Sequence, residues 1–328
     1  YDQPSATKKY QMAFGITANL EDIVSAEYGI DSMRGTIGCT HDANCPRYDD
    51  FICSIRVGQR RGYCIPSWWG ICHGWTPAAI LTKQPEQPVT HNGITFQPSD
   101  LKALVSLVAG GDEYKPFKDT FMGKRCDIPS RSIPYDRWGR PTDHANECRD
   151  INPGVLFVVA TNTLGMYGMP FGMDRSFDNE VWYQPVRGYT VHRYEMLTRE
   201  EATALLAHPH HPNLFFRNPP FSPKAAQFRY IVWDINYVTE CAAEQDGYID
   251  VEPFTVPWTL YAILELDASG RIIGGEWVGA SKREHPDFLI TPYAMDAESS
   301  VARGYITWSN VQMLLNSSYT SPDLYRRD

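Results

Sequence analysis

No apolar run in this chain approaches the ~20 residues that span a bilayer, and no basic-then-apolar leader opens it. The first residue is Tyr1 rather than Met, which reads as a processed or trimmed form. Positive charge is scarce too: 30 Lys and Arg face 39 Asp and Glu, for a net charge of −9 and a pI near 5.5. That balance argues against a nucleic-acid partner, because phosphate binding needs a basic surface, and it disfavours anionic membranes for the same reason. A glycine-rich phosphate loop and a dinucleotide fingerprint are both missing, so no nucleotide cofactor is implied. Internal repeats and low-complexity stretches are absent as well.

What the chain does have is core material. With 43% hydrophobic residues among 328, it is long enough for one large domain or two smaller ones. Its eight cysteines are grouped. Cys39, Cys45, Cys53 and Cys64 lie close together, and Cys126 and Cys148 form a second local group, as expected of short disulfide-closed loops. Zinc is the rival reading and is weaker, because neither group contains a tight Cys-x-x-Cys pair. Pairing those six leaves Cys72 and Cys241. Together with a sequon at Asn316-Ser317-Ser318, the pattern points to an oxidising, secreted setting.

Residues 1–66 read as a stapled accessory segment with one helix over Asn19 to Ala26, and 67–328 as the catalytic core. Ser99 or Asp100 can cap a helix through Val108 that Gly110-Gly111 ends. The apolar run Val155 to Ala160 is expected to be a fully buried strand. Further strands are expected over Phe171 to Gln184 and Val186 to Tyr194, interrupted at Pro185, and over Phe228 to Glu240. Thr198-Arg199-Glu200-Glu201 is a capping box for a helix to Ala207, and Asp267-Ala268-Ser269-Gly270 turns a hairpin between Trp258–Leu266 and Arg271–Val278. Helices early and strands late give an α+β fold.

Chemistry centres on Cys72, in Trp68-Trp69-Gly70-Ile71-Cys72-His73-Gly74-Trp75. A thiol held against a helix N-terminus ionises more readily, and the thiolate is the nucleophile. Thr76 as N-cap with Pro77 at the first helical position is the stronger start signal, so Cys72 is expected just upstream of the helix and in need of an activating histidine. The other reading makes Cys72 one more half-cystine, and both stand at this point. A nucleophilic cysteine on an early helix, followed by an antiparallel sheet, is the layout of a papain-like core.

The segment Val181-Trp182-Tyr183-Gln184-Pro185-Val186-Arg187-Gly188-Tyr189-Thr190-Val191-His192-Arg193 closely resembles the thirteen-residue elicitor peptide of the oomycete (Phytophthora-type) transglutaminase elicitor family. It departs from the family's Val-Trp-Asn-Gln-Pro-Val-Arg-Gly core at Tyr183 and in its C-terminal third. Gly70-Ile71-Cys72-His73, Thr95-Phe96-Gln97-Pro98, Gly274-Gly275-Glu276-Trp277 and His285-Pro286-Asp287-Phe288 are also similar to that family, so the resemblance runs from about Gly62 to Phe288. It implies a secreted, calcium-dependent protein-glutamine γ-glutamyltransferase with a papain-like core. Its substrates would be proteins with accessible glutamine and lysine, and a plant surface receptor would sense the embedded peptide; Trp182, Pro185 and Arg187 mark that segment, with Trp182 and Pro185 expected to shape a groove wall or buried strand. A papain-like cysteine peptidase and a non-enzymatic elicitor are the alternatives.

The resemblance places the nucleophile at Cys72. Asp174, in Gly172-Met173-Asp174-Arg175-Ser176, is the candidate to orient a histidine, with a solvated turn aspartate as the plainer reading. A papain-like core would put the histidine near the start of the strand after Gly154, where this chain has Phe157. His285 is the choice among the nine histidines; its plainer role is to fix a loop through Asp287 or a backbone carbonyl. His73 is set aside by adjacency, His208, His210 and His211 as loop residues, and His192 as an exposed strand residue. Asp42, Asp49 and Asp50, or Asp246, Asp250 and Glu252, offer carboxylates to calcium, though neither group matches a twelve-residue calcium loop.

Overall fold

The computed structural model describes residues 3–47, 50–111, 116–136, 138–142, 148–206, 221–240 and 249–320. The chain mixes helices with antiparallel sheet and divides into two compact units. One comprises Tyr1–Lys118, Cys241–Asp250 and Tyr293–Asp328, the other Asp119–Glu240 and Val251–Pro292. These limits differ from the sequence division at residue 66, since residues 1–66 share a unit with the segment bearing Cys72.

The first unit begins with α1 (Ala6–Ala13) and α2 (Leu20–Tyr28). A small sheet of β1 (Gly38–Cys39), β2 (Phe51–Ser54) and β3 (Gly62–Pro66) follows. Cys39–Cys53 and Cys45–Cys64 disulfides staple it, so four sulfurs that could have served zinc are bonded to one another. Next come α3 (Cys72–Leu81), the hairpin β4 (Val89–His91) and β5 (Ile94–Phe96), and α4 (Pro98–Ala109). Gln97 and Asp100 cap α4 reciprocally with Pro98 in its first turn, so the helix starts slightly earlier than its Ser99 or Asp100 signal suggests. The core joins Tyr10, Leu20, Phe96, Leu101, Leu104 and Val108 to Val311 and Leu315 from the C-terminal helix.

Most of the second unit's strands form a seven-stranded sheet of β6 (Phe117–Gly123), β7 (Phe171–Asp174), β8 (Tyr183–Leu197), β9 (Gln227–Val238), β10 (Thr255–Leu266), β11 (Ile272–Trp277) and β12 (Phe288–Met295), of which the first two residues of β6 and the last three of β12 are counted with the first unit. Its order is β11-β10-β9-β8-β7-β12-β6. Alternation along β9 sorts its side chains: Ile231, Trp233 and Ile235 join Leu260, Leu264 and the buried residues of α5 (Pro153–Val159) in one core. On the other face Phe228 and Ile263 pack with Ala202 and Leu206 of α6 (Arg199–Leu206). The remaining elements are β13 (Ser300–Val301), β14 (Ile306–Thr307) and α7 (Trp308–Ser317), all in the first unit.

Three local expectations change. The Val155 to Ala160 run is helical: Asn152 caps it by accepting from Gly154 N at 2.9 Å, Pro153 holds its first turn, and a π-helix over Ala160–Met166 continues it. A short apolar run has no periodicity to tell a buried helix from a buried strand. Phe157 therefore occupies no strand slot for a histidine, and its ring packs T-shaped on Trp233 with centroids 5.2 Å apart. Strand β8 runs through Pro185, which opposes Gly172 of β7 and precedes the point where pairing with β9 begins, at Val186. A proline is tolerated where only one neighbour asks for its N–H. Lastly, α3 begins at Cys72, with Pro77 inside it.

The reason for that early start is Gly74. A Cβ there would lie 2.2 Å from the Ser106 carbonyl oxygen and 2.8 Å from Gly110 N, so the α3 backbone lies directly against α4. We expect Gly74→Ala to cost roughly 1–3 kcal/mol of stability through overpacking. Gly70→Ala, with nothing within 4 Å of the added carbon, should change stability by less than about 0.5 kcal/mol. Denaturant unfolding of the two variants measures the difference.

Candidate functional site

Cys72 is the first residue of α3, with Ile71 as N-cap, so its sulfur belongs to the turn where the helix dipole most favours negative charge. The Ile71 carbonyl accepts from Gly74 N at 2.9 Å and from Trp75 N at 2.8 Å, which anchors this turn. The six other described cysteines are in disulfides, whereas Cys72 carries a thiol and is half-buried. Cys241 lies outside the described residues. Trp68 and Trp69 meet edge to face with centroids 6.1 Å apart, and Trp69 is half exposed. The imidazole of His73 is turned toward the end of α4, with Nε2 3.1 Å from where a Cβ on Gly110 would be.

Asp174 and His285 both belong to the second unit, inside a buried acidic cluster. Asp174 ends β7, and its Oδ1 accepts from Trp182 N (2.8 Å), Ser176 Oγ (2.9 Å) and Ser176 N (3.2 Å). Its Oδ2 is buried without a hydrogen-bond partner, and burial raises its pKa to about 7. A solvated turn aspartate it is not. His285 engages Asp150 rather than Asp174: Nε2 lies 2.8 Å from Asp150 Oδ2, and Nδ1 is 2.7 Å from the Ser281 carbonyl, to which it must donate. The approach to Asp150 is off the hydrogen-bond axis, and the hydrogen-bond partner of that carboxyl is the Asp287 carboxyl. Burial lowers the His285 pKa to about 4, leaving the ring neutral. Nδ1 of His285 is thus committed within its own unit, while Nε2 faces Asp150.

Asp150 is the residue that sequence reasoning missed. It follows Cys148-Arg149 in a stretch without periodicity, and its only signal is proximity to a half-cystine. Asp287, in the His285-Pro286-Asp287-Phe288 motif, completes the cluster. Its Oδ2 accepts from Cys126 N at 2.7 Å, and its backbone N donates to the Asp174 carbonyl at 3.2 Å. Burial raises the pKa of Asp150 and Asp287 alike; the charge of Asp174 adds to both, while the hydrogen bond between the two carboxyls raises Asp287 and lowers Asp150.

Of the elicitor-like segment, Tyr183 to Val186 are buried in the sheet, while Arg187 is exposed and donates to Glu252 Oε2 (2.8 Å) and Thr255 Oγ1 (3.0 Å). Trp182 precedes the strand, its indole donating to Glu180 Oε2 at 2.8 Å. Pro185 is a buried strand residue opposite Gly172. His192 is exposed, as expected of its strand, but it is not idle: at a bulge between Val191 and Arg193, Nε2 lies 2.7 Å from Asp234 Oδ2. Asp234 Oδ1 in turn accepts from Thr259 Oγ1 at 2.7 Å. His208, His210 and His211 lie outside the described residues.

The carboxylates offered to calcium are described only in part. Asp49 and Asp246 lie outside the described residues, Asp42 Oδ1 accepts from Cys53 N at 2.8 Å, and Glu252 pairs with Arg187. Among the described residues, the grouping of three ligand atoms compact enough for one ion is Cys39, Cys45 and Cys64, whose sulfurs are in disulfides.

Comparison with known proteins bears on this geometry. A family model described as transglutaminase elicitor matches residues 1–321. The chain belongs to that family. No curated protein matches it. Among solved structures, the crystal structure of the GP42 transglutaminase from Phytophthora sojae aligns with a TM-score of 0.78 at 37% identity, covering 97% of this chain and 83% of that one. Membership of the transglutaminase elicitor family agrees with the likeness of residues 181–193 to an elicitor peptide.

The acidic cluster makes stability fall with pH. Asp150, Asp174 and Asp287 hold protons in the fold that an unfolded chain releases near pH ~4, so the stability these protons contribute is lost as pH rises through the raised values. His285 is neutral in both states above about pH 6.5 and adds no slope there. The melting temperature should therefore drop between about pH 6.5 and pH 9. Asp287→Asn keeps an acceptor for Cys126 N and should flatten that drop, which calorimetry at the two pH values checks.

Proposed function

We propose that the protein is a secreted protein-glutamine γ-glutamyltransferase that uses Cys72 as its nucleophile. The observation that carries this reading is a thiol at the first position of a helix, in a member of the transglutaminase elicitor family whose other described cysteines are oxidised. Secretion is supported by the three disulfides, which persist in oxidising compartments.

In this reading the Cys72 thiolate attacks the γ-carboxamide carbon of a protein glutamine, and the positive end of α3 offsets the charge that moves to the carbonyl oxygen. The C–N bond breaks, the amide nitrogen takes a proton from water and ammonia leaves a thioester. A neutral lysine ε-amine then attacks the thioester carbon, the C–S bond breaks, the amine nitrogen gives its proton back to solvent, and an isopeptide is released with the thiolate restored. The exposed Trp69 suits a groove wall for the chain carrying the glutamine. A papain-like arrangement is part of the proposal, with one modification: Asp174, through Oδ1, and His285, through Nδ1, are assigned to positioning the second unit's sheet and loops. Residues 181–193 are the elicitor segment, in which Arg187 offers an exposed contact and Trp182 and Pro185 are held by the fold. Its partner would be a plant surface receptor.

A glutamine donor protein mixed with a fluorescent primary amine should acquire covalent label with the intact protein. Cys72→Ser should reduce labelling by at least about 10³-fold, since the hydroxyl is a far weaker nucleophile at neutral pH. Cleavage without labelling would instead favour a cysteine peptidase, and plant responses to a Cys72→Ala variant undiminished alongside absent labelling in the parent would favour a non-enzymatic elicitor. Calcium dependence belongs to the same proposal through the family resemblance: chelation with EGTA should abolish labelling and added calcium restore it. Labelling unchanged in EGTA would remove calcium from the account.

A further inference from the structure

Strand β8 is 15 residues long, and β7 pairs with its first four, Tyr183 to Val186. From Gly188 to Leu197 the strand paired with it is β9, on one side. Alternate residues of an antiparallel strand turn their N–H and C=O groups to opposite sides, so this stretch presents an edge that faces away from β9. Among the described residues, no other main-chain hydrogen bond engages residues 190–197. Thr190 through Met196 are all exposed, including the large apolar Val191, Tyr194 and Met196.

Natural edges of this kind are blunted by lysine, proline or a bulge. Residues 191–197 contain neither lysine nor proline. The bulge lies at His192, and from Arg193 to Leu197 the pairing with β9 runs without a shift. Full charges enter as one opposite pair, Arg193 and Glu195, on the same face of the strand, with Nε 3.0 Å from Oε1 and both side chains half exposed. That spacing decides what the edge can take up. Two copies of a strand related by a two-fold axis keep opposed residues on one face, so the axis has to pass beside a residue and not between two. Centred on Arg193 or on Glu195, the pairing sets like charges against each other; centred on His192, it gives Arg193 only Val191. Centred on Tyr194, it sets Arg193 against the partner's Glu195 twice over, Tyr194 against its own counterpart and Val191 against Leu197, all favourable cross-strand neighbours.

We propose that the β8 edge is a self-association surface, on which a second copy of this chain pairs antiparallel over residues 191–197 about Tyr194. The occupant is fixed by charge complementarity, because the edge matches its own sequence in that one register. A single strand-to-strand ladder makes a small interface of the weak, exchanging kind, so dissociation is expected on the order of 10–100 µM. Arg187 lies outside the paired stretch. The inference does not rest on the transferase reading, and mass rather than turnover reports on it.

Sedimentation equilibrium of the full chain from about 1 to 300 µM tests it. The parent should pass from monomer to dimer across that range. Arg193→Glu and Glu195→Arg each set like charges opposite one another and should each weaken self-association at least about tenfold. The two single variants mixed in equal amounts should pair with each other, and the exchanged chain R193E/E195R should associate as the parent does. Both positions are exposed, so these chains are expected to fold. Hydrogen exchange of the 191–197 amides should slow as the parent dimerises. A parent that stays monomeric, single variants that associate undiminished, or a mixture or exchanged chain that fails to associate would each overturn the proposal. So would a dimer that leaves exchange at 191–197 unchanged, or amides already protected in the dilute monomer, which would assign the edge to a segment of the same chain.

Discussion

The contact at Gly74 governs the first unit. With the α3 backbone against the Ser106 carbonyl and Gly110, a side chain of any size would push the two helices apart. The same contact decides where the helix begins, because Gly74 can lie on α4 only if it is already helical, and Cys72 is then the first residue of the turn. A Thr cap contributes about 1 kcal/mol. Burial of Thr76, Pro77 and Ala78 removes far more apolar surface from water than that cap is worth, so the Thr76-Pro77 start signal is overridden. Cys72 is thereby held at the dipole's positive end instead of preceding it.

The second unit rests on a different compromise. Its long β8–β9–β10 ladder divides apolar residues between α5 and α6, which accounts for most of its packing. At the β7 and β12 side the chain instead buries Asp150, Asp174 and Asp287 together with a neutral His285. These groups serve as hydrogen-bonding connectors. Asp174 gathers the 174–182 turn that launches β8, Asp287 holds Cys126 beside its disulfide, and His285 holds the Ser281 carbonyl. Protonation keeps such a cluster affordable in an apolar setting.

Much of this was legible in the residues. The grouping of cysteines foretold short disulfide loops, Thr198 and Glu201 do cap each other, and Asp267 to Gly270 turns the β10–β11 hairpin. Each of those signals is local, so its physics is complete within a few residues. What stayed hidden depends on distant neighbours. The register of α3 needed α4, the helicity of Pro153–Val159 needed its docking site, where a Cβ on Gly154 would lie 2.5 Å from the Gly274 carbonyl, and the passage of β8 through Pro185 needed to know that β9 begins one residue later. At the candidate site Cys72 could be read from its context, but the His285–Asp150 pairing could not, because 135 residues separate its members and neither carries a motif for the other.

The central claim is that one sulfur forms an acyl bond. Acid quenching of the protein with a short glutamine peptide, followed by mass spectrometry of its proteolytic fragments, tests it most directly. The account calls for the fragment containing Cys72 to gain the mass of the peptide less ammonia, and for that gain to vanish when a primary amine is added before quenching. An adduct on any other residue, or a Cys72 fragment that stays unmodified while amine is being incorporated into substrate, would contradict it.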